Sequence, residues 1–140
     1  NVLSFNHHYL PGYKSGGALR TIVNMVEQIG DIVKFNIISS DRDSNDLEMY
    51  DGIRANTWQY VGNAKVYYQN NNLPFISIIN VLRGTEYDVI YLNSFFDYKY
   101  SIKVLLVLKV LRIDIPIILA PRGEFSQGAL NIKKFKKNSY

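Results

Sequence analysis

Two glycine-containing segments carry residue types suited to ligand binding. The segment Leu10–Arg20 (LPGYKSGGALR) includes Gly16 and Gly17, which bring bare backbone N–H groups and a helix N-terminus up to an anionic ligand. The segment Ala120–Leu130 (APRGEFSQGAL) includes Arg122, whose guanidinium fork can grip a phosphate or a carboxylate. Each segment follows a predicted strand, and open α/β sheets bind ligands beyond the carboxyl ends of their strands. Both are candidate ligand loops, although the same glycines also suit a tight turn.

Four further polar residues stand at predicted strand ends or beside the glycines. Glu124 can accept hydrogen bonds from sugar hydroxyls, while Asn93 and Ser94 offer the short hydrogen-bonding groups that line carbohydrate sites. Lys14 lies next to the glycines and is a further candidate site residue. The structural alternatives are an Arg122–Glu124 ion pair and helix capping ahead of Tyr98 by Asn93, Ser94 or Asp97, a role that suits Asp97 best.

Other patterns argue against several kinds of chemistry. The glycines fit neither the dinucleotide fingerprint nor the phosphate loop of nucleotide hydrolases. Cysteine is absent, so no thiol nucleophile or disulfide is available. The adjacent His7 and His8 lack a third metal ligand at useful spacing, and Asp41–Asp43 matches a metal-diphosphate D-x-D motif over three residues only. We therefore predict no metal site and no cofactor, and assign no catalytic residue.

The composition is that of one globular domain. The chain has 140 residues, of which 47% are hydrophobic, enough to bury a core. The formal charge is +4, and four lysines near the end supply an equal positive charge: Lys133, Lys134, Lys136 and Lys137. No recognition motif accompanies them, so we expect no nucleic-acid partner. No apolar run approaches the roughly 20 residues that cross a bilayer, and no secretory leader precedes the first strand, so a cytoplasmic location is expected.

Hydrophobic patterning predicts alternating strands and helices. The predicted strands are Val2–Phe5, Ile32–Ser39, Lys65–Gln69, Asp88–Asn93 and Ile115–Ala120. The first predicted helix has Ser15 or Gly16 as its cap and Gly30 as its stop. The other predicted helices are Pro74–Arg83, Tyr98–Arg112 and Gly128–Lys137, with a polar loop from Asp41 to about Gly62. This order predicts an α/β fold: a Rossmann-like three-layer parallel sheet with right-handed crossovers and helices on both faces.

The two glycine segments, the Ser40–Asp43 loop between them and the lysines after the second segment resemble the amino-terminal domain of a family 4 glycosyltransferase. The resemblance covers nearly the whole chain in the same order. It implies one half of a GT-B architecture, in which two Rossmann-like domains face each other across a cleft. Residues 1–140 are then expected to be the amino-terminal, acceptor-side domain of a truncated chain that lacks the carboxyl-terminal donor-binding domain.

The resemblance also implies a function. It points to retaining hexosyl transfer from a nucleotide-sugar donor to a glycan or lipid-linked acceptor in surface-polysaccharide biosynthesis, with no obligatory metal. The backbone of Gly16 and Gly17 is expected to approach the donor, and Arg122–Gly123 to face the cleft. Apolar residues interleaved with lysines in Tyr98–Arg112 suit peripheral contact with the inner face of the cell membrane. The isolated domain is expected to be inactive.

Two alternatives remain open from the residues alone. A small, non-catalytic, flavodoxin-like α/β binding module requires no second domain. A sugar-phosphate epimerase or another dinucleotide enzyme is weakened by the missing glycine fingerprint.

Overall fold

The computed structural model describes residues 1–70 and 72–128. Within them the chain forms six strands and three α-helices, with a five-residue π-helical turn, Tyr98–Ile102, directly before the third helix. The strands are β1 (Val2–Phe5), β2 (Phe35–Ser40), β3 (Trp58–Val61), β4 (Ala64–Gln69), β5 (Val89–Leu92) and β6 (Ile117–Leu119). The helices are α1 (Gly16–Ile29), α2 (Phe75–Gly84) and α3 (Lys103–Leu111).

One sheet in the order β3-β4-β2-β1-β5-β6 forms the middle layer. Its neighbouring strands are parallel except β3 and β4, which pair antiparallel. Helix α1 packs against one face, and helices α2 and α3 pack against the other. The predicted Rossmann-like three-layer α/β fold is therefore confirmed, with one antiparallel strand added at an edge.

Consecutive apolar residues in the inner strands fill both cores. Successive side chains of a strand point to opposite faces of the sheet. In β2, Ile37 packs in the core on the α1 side and Ile38 in the core on the α2 side, and both are fully buried. A sheet covered on both faces needs apolar residues at consecutive positions, which explains the continuous run in β5.

Helix α1 has the predicted position and the predicted end. Its buried residues recur at helical spacing and are Leu19, Ile22, Val23 and Val26. Gly30 follows the helix, and its backbone N–H donates a hydrogen bond to the Val26 carbonyl at 2.8 Å. A Cβ on Gly30 would lie 2.3 Å from that same oxygen, so only glycine fits here.

Strand β3 lies inside the segment predicted to be a polar loop, so that prediction is wrong for Trp58–Val61. A two-residue turn, Gly62–Asn63, joins β3 to β4, and Gly62 has a φ of 58°. Tight hairpin turns need residues with positive φ, which glycine supplies. The side chains of β3 are half-buried or exposed, so the strand lacks the apolar alternation that reveals a strand in a sequence.

Several predicted boundaries shift. Strand β2 begins at Phe35 rather than Ile32, because Ile32 lies exposed in the turn after α1. The helix predicted at Tyr98–Arg112 divides into the π-helical turn and α3, and Arg112 ends it in a left-handed conformation with φ of 55°. Strand β6 is shorter than predicted. The last predicted helix, Gly128–Lys137, lies outside the described residues from residue 129 onward, and so does its lysine cluster.

The order of the strands reverses beside β1. The chain adds β2 and β4 on one side of β1, and then crosses over to add β5 and β6 on the other side. The loops that follow β1 and β5 therefore lead away in opposite directions and leave a crevice between them. Open α/β sheets bind ligands in such a crevice, so the ends of these two strands position the candidate site.

We expect Gly62→Ala to lower the free energy of unfolding by about 1 kcal/mol, because an L side chain is strained at positive φ. Gly84→Ala is the matched control, since a Cβ there meets no atom within 4 Å and Gly84 lacks a positive φ. The control should be neutral or slightly stabilising. Urea unfolding measures both effects, and equal effects would contradict the hairpin geometry.

Candidate functional site

A small pocket opens between the carboxyl ends of β1 and β5. Its volume is about 120 Å³, and its walls come from the loop after β1, the start of α1, the loop after β5 and the π-helical turn. The polar residues that line it are His7, His8, Ser15, Asn93, Ser94, Asp97, Tyr100 and Ser101. We call it the switch-point pocket, because it lies where the strand order reverses.

His7 and Asp97 form a hydrogen-bonded pair in its wall. His7 Nδ1 lies 3.1 Å from Asp97 Oδ2. Asp97 Oδ1 accepts hydrogen bonds from the backbone N–H groups of Lys99 and Tyr100, both at 3.0 Å. Burial acts to raise the pKa of Asp97, but the hydrogen bonds from His7 and the backbone outweigh burial and hold that pKa below its ordinary value. Asp97 is therefore a carboxylate at neutral pH, and it caps the helical segment as the sequence alternative predicted.

His8 stacks on His7, with ring centroids 4.4 Å apart and ring planes 10° apart. Its Nδ1 donates a hydrogen bond to the Arg42 carbonyl at 3.2 Å. Desolvation by burial lowers the pKa of His8 below its ordinary value of 6.5, and the neighbouring His7 lowers it further. The His8 ring is therefore neutral at pH 7.

Three residues that line the pocket carry buried hydroxyl groups without a protein partner. Ser15 Oγ, Tyr100 Oη and Ser101 Oγ are enclosed, and none makes a hydrogen bond within the described part of the chain. Tyr100 and Ser101 are each only 1% exposed. Burial, followed by the charge of Asp97, raises the pKa of Tyr100, so its hydroxyl keeps its proton. Because buried polar groups are normally satisfied, these three atoms mark positions where a ligand can hydrogen-bond.

Gly16 and Gly17 lie at the exposed start of α1, between the lining residues Ser15 and Ala18. Ser15 is the N-cap residue and makes no side-chain hydrogen bond to the helix. Gly16 has a φ of 60°, a conformation that favours glycine. A Cβ on either glycine would meet no atom within 4 Å, so the space around this backbone is open. An anion can therefore approach the first N–H groups of α1.

Two of the predicted site residues join the loops after β5 and β6. Arg122 Nε donates to Asn93 Oδ1 at 2.7 Å, and a second guanidinium N–H donates to the Tyr91 hydroxyl. Asn93 Nδ2 donates in turn to the Ala18 carbonyl at 3.1 Å. Asn93 thus connects the start of α1 to the loop that carries Arg122.

Glu124, in the loop after β6, also holds the loop after β5. Its carboxylate accepts hydrogen bonds from Ser94 Oγ at 2.5 Å and from the Phe95 backbone N–H at 2.6 Å. Arg122 and Glu124 therefore bond to different partners rather than to each other. The structure brings Asn93, Ser94, Arg122 and Glu124 together through bonds within the scaffold, and their role in ligand binding stays a prediction.

Lys14 is not part of the switch-point pocket. Its Nζ donates to Asp46, and its backbone N–H and that of Tyr13 donate to Asp43 Oδ2 at 3.1 and 2.7 Å. Burial acts to raise the pKa of Asp43, but the hydrogen bonds from Tyr13, Lys14 and Ser44 outweigh burial and lower that pKa. Asp43 therefore ties the first glycine segment to the loop after β2.

The carboxylates of the loop after β2 accept hydrogen bonds from protein groups. Asp41 accepts a hydrogen bond from Arg42 Nε at 2.8 Å, and Asp43 binds backbone N–H groups. Within residues 1–70 and 72–128, no group of three or more histidines and carboxylates is placed to hold a metal ion. The two carboxylates of the D-x-D match at Asp41–Asp43 thus serve hydrogen bonds that hold this loop.

His7 and Asp97 line the pocket and lie in loops directly after strands, where the sequence places candidate ligand residues. Tyr100 and Ser101 also line the pocket, but sequence reasoning does not predict them. Tyr100 and Ser101 enter the pocket through the π-helical turn, which leaves no periodic signature in a sequence.

No protein-family model, no curated protein and no solved structure matches this chain. The likeness to family 4 glycosyltransferases therefore depends on the two glycine segments and the loop between them. The fold and the switch-point pocket are observations that do not depend on that likeness, and both bear on function.

His8→Asn removes a titrating ring but keeps a side-chain N–H for the Arg42 carbonyl. Because the pKa of His8 is lower in the folded chain, the unfolded chain binds more protons as the pH falls below about 6.5. The free energy of unfolding therefore decreases as the pH is lowered. We expect the free energy of unfolding to decrease between about pH 7 and pH 5 more steeply in the wild type than in His8→Asn. Urea unfolding across this range measures both slopes, and parallel slopes would rule out a neutral, half-buried His8.

Proposed function

We propose that this chain is the amino-terminal, acceptor-side domain of a retaining glycosyltransferase. The full enzyme would move a sugar from a nucleotide-sugar donor to a glycan or lipid-linked acceptor in surface-polysaccharide biosynthesis. The observation that carries the proposal is the switch-point pocket, in which three unpartnered hydroxyls lie next to the open start of α1. The motif resemblance supplies the substrate class.

The pocket and the glycines suit different parts of a nucleotide sugar. Among the described residues that line the pocket, Asp97 is negatively charged and no lysine or arginine is present. Hydroxyls, an amide and a carboxylate match an uncharged sugar, whose hydroxyl groups both donate and accept hydrogen bonds. The exposed N–H groups at Gly16 and Gly17 suit a diphosphate. We therefore place the sugar in the pocket and the diphosphate at the start of α1.

This placement gives the chain a part in the chemical step. Negative charge grows on the departing nucleotide diphosphate as the bond to the sugar breaks. Fixed N–H groups at Gly16 and Gly17 would stabilise that charge more strongly in the transition state than in the ground state. In retaining transfer the acceptor attacks the face from which the diphosphate departs, so the leaving phosphate can take the acceptor proton. The proposal accordingly requires neither a metal nor a protein base from this domain.

We also propose peripheral contact of α3 with an anionic membrane. Leu106 and Val110 are 46% and 79% exposed, and the cations Lys109 and Arg112 lie exposed beside them. Residues 98–112 contain no acidic side chain. Exposed apolar residues among cations suit a surface of anionic lipid, such as the inner face of the cell membrane. No helix in residues 1–70 and 72–128 has the length and apolar composition required to cross a bilayer.

Gly17→Val should weaken nucleotide-sugar binding, because the branched side chain occupies the open space in front of the first N–H groups. We expect a loss of at least about tenfold in affinity for UDP-glucose or GDP-mannose, measured from NMR chemical-shift changes during titration. Transfer by the full-length enzyme should be abolished. Gly84→Val, also in open space at a helix end, is the control and should bind normally. Unchanged binding in Gly17→Val, or transfer by the full-length Gly17→Val enzyme at the wild-type rate, would overturn the proposal.

Val110→Asn should reduce co-sedimentation of the chain with phosphatidylglycerol vesicles, because it removes an exposed apolar contact from α3. Ile32→Asn is the control, since Ile32 is 86% exposed in the turn after α1. We expect the control to bind like the wild type and neither protein to bind phosphatidylcholine vesicles. Equal effects of the two substitutions would refute contact through α3.

A further inference from the structure

A second and larger depression lies at the opposite end of the sheet. Its volume is about 540 Å³, more than four times that of the switch-point pocket. It opens at the amino ends of β2 and β4 and extends below the last turn of α2. The lining residues that matter here are Lys34, Asn36, Trp58, Tyr60, Lys65 and Glu86. We call this depression the amino-end groove.

The sheet places three of these side chains in one row. Tyr60 of β3 pairs with Lys65 of β4, and Lys65 pairs with Asn36 of β2. The next row on the same face, Trp58, Tyr67 and Ile38, packs against the core beneath α2 and α3. The first row therefore continues the floor of that core as a polar and aromatic surface.

The end of α2 leaves this row uncovered. The helix ends at Gly84, and Thr85 continues as extended backbone with φ of −123° and ψ of 140°. Gly84, Thr85 and Glu86 form one wall of the groove instead of covering its floor. Asn36 Nδ2 lies 3.4 Å from the Glu86 carbonyl, which links the wall to the floor.

The groove offers aromatic faces together with hydrogen-bonding groups of both kinds. Tyr60 is 80% exposed, and Trp58 lines both this groove and a neighbouring cavity of about 150 Å³ that includes Ser77 and Asn80. Aromatic rings of this kind present an apolar body beside a wet, polar edge. The C–H-rich face of a sugar ring packs on such a body, while its hydroxyls bond to amides and carboxylates.

The charges of the groove narrow the ligand class. Lys34 and Lys65 provide two cations against the single carboxylate of Glu86, and Lys65 Nζ lies 5.7 Å from the centre of the Trp58 ring. A cation beside an aromatic platform suits a sugar that carries a carboxylate. Two lysines are too few to follow a continuous phosphate backbone, whereas the Glu86 carboxylate accepts hydrogen bonds from hydroxyls, so a saccharide fits better than a nucleic acid.

We propose that the amino-end groove binds a short acidic saccharide. A sugar ring packs on Tyr60 and Trp58, its hydroxyls bond to Asn36 and Glu86, and its carboxylate pairs with Lys65 and Lys34. This site lies at the other end of the strands from the switch-point pocket. It is therefore independent of the proposed transfer reaction, and it holds whether or not the chain is part of a transferase.

The test is an NMR and calorimetric titration of this chain with tetragalacturonate and with its fully methyl-esterified form, which keeps the rings but removes the charge. We expect saturable binding of the acid at millimolar concentration, with amide shifts in residues 58–65. The ester should bind at least about tenfold more weakly.

Tyr60→Ser and Lys65→Gln should each reduce the affinity for tetragalacturonate by about tenfold. Both residues are exposed, so the fold should persist. The controls are Tyr98→Ser and Lys109→Gln, which change exposed residues of the same types near α3. No binding by the wild type, equal binding of acid and ester, or equal losses in the controls would overturn the proposal. Binding of single-stranded RNA in place of the saccharide, weakened by the groove variants, would also overturn it.

Discussion

The position of β1 constrains the rest of this molecule. It pairs in parallel with β2 on one edge and with β5 on the other, in register over all four residues. Helices cover both faces of the sheet, so Leu3 and Ser4 are fully buried and Phe5 is 1% exposed. A strand enclosed in this way cannot place a polar side chain in solvent along its length. Function has to begin where the strand ends, and His7 is the second residue beyond that point.

The loops around the switch-point pocket owe their shape to three carboxylates. Asp43 holds the first glycine segment, Asp97 holds the start of the π-helical turn, and Glu124 holds the loop after β5. Hydrogen bonds to charged groups contribute about 1.5–3 kcal/mol each, more than neutral ones do. Segments rich in glycine and polar residues thereby gain the fixed geometry that a binding site needs. These three carboxylates bind chiefly backbone N–H groups of the loops around the pocket.

The sequence predicts those features that depend on local signals. Strand β1 and helix α1 lie where predicted, because apolar spacing and Gly30 are read from neighbouring residues. The sequence does not predict strand β3, because its half-exposed side chains lack a regular apolar spacing. The proximity of Asn93 and Arg122 follows from their places after adjacent strands, but their bond depends on rotamers that tertiary packing selects. Likewise, no local pattern brings the Ser15 and Tyr100 hydroxyls into one pocket.

Asp97 links the start of the π-helical turn to the chemistry of the first loop. One carboxylate oxygen accepts the N–H groups of Lys99 and Tyr100, and the other lies on His7, 90 residues earlier in the chain. A carboxylate only accepts hydrogen bonds, so this contact requires a hydrogen on His7 Nδ1. The same side chain therefore fixes the backbone of this turn and the ring nitrogen of His7 that donates, and unwinding the turn would release both.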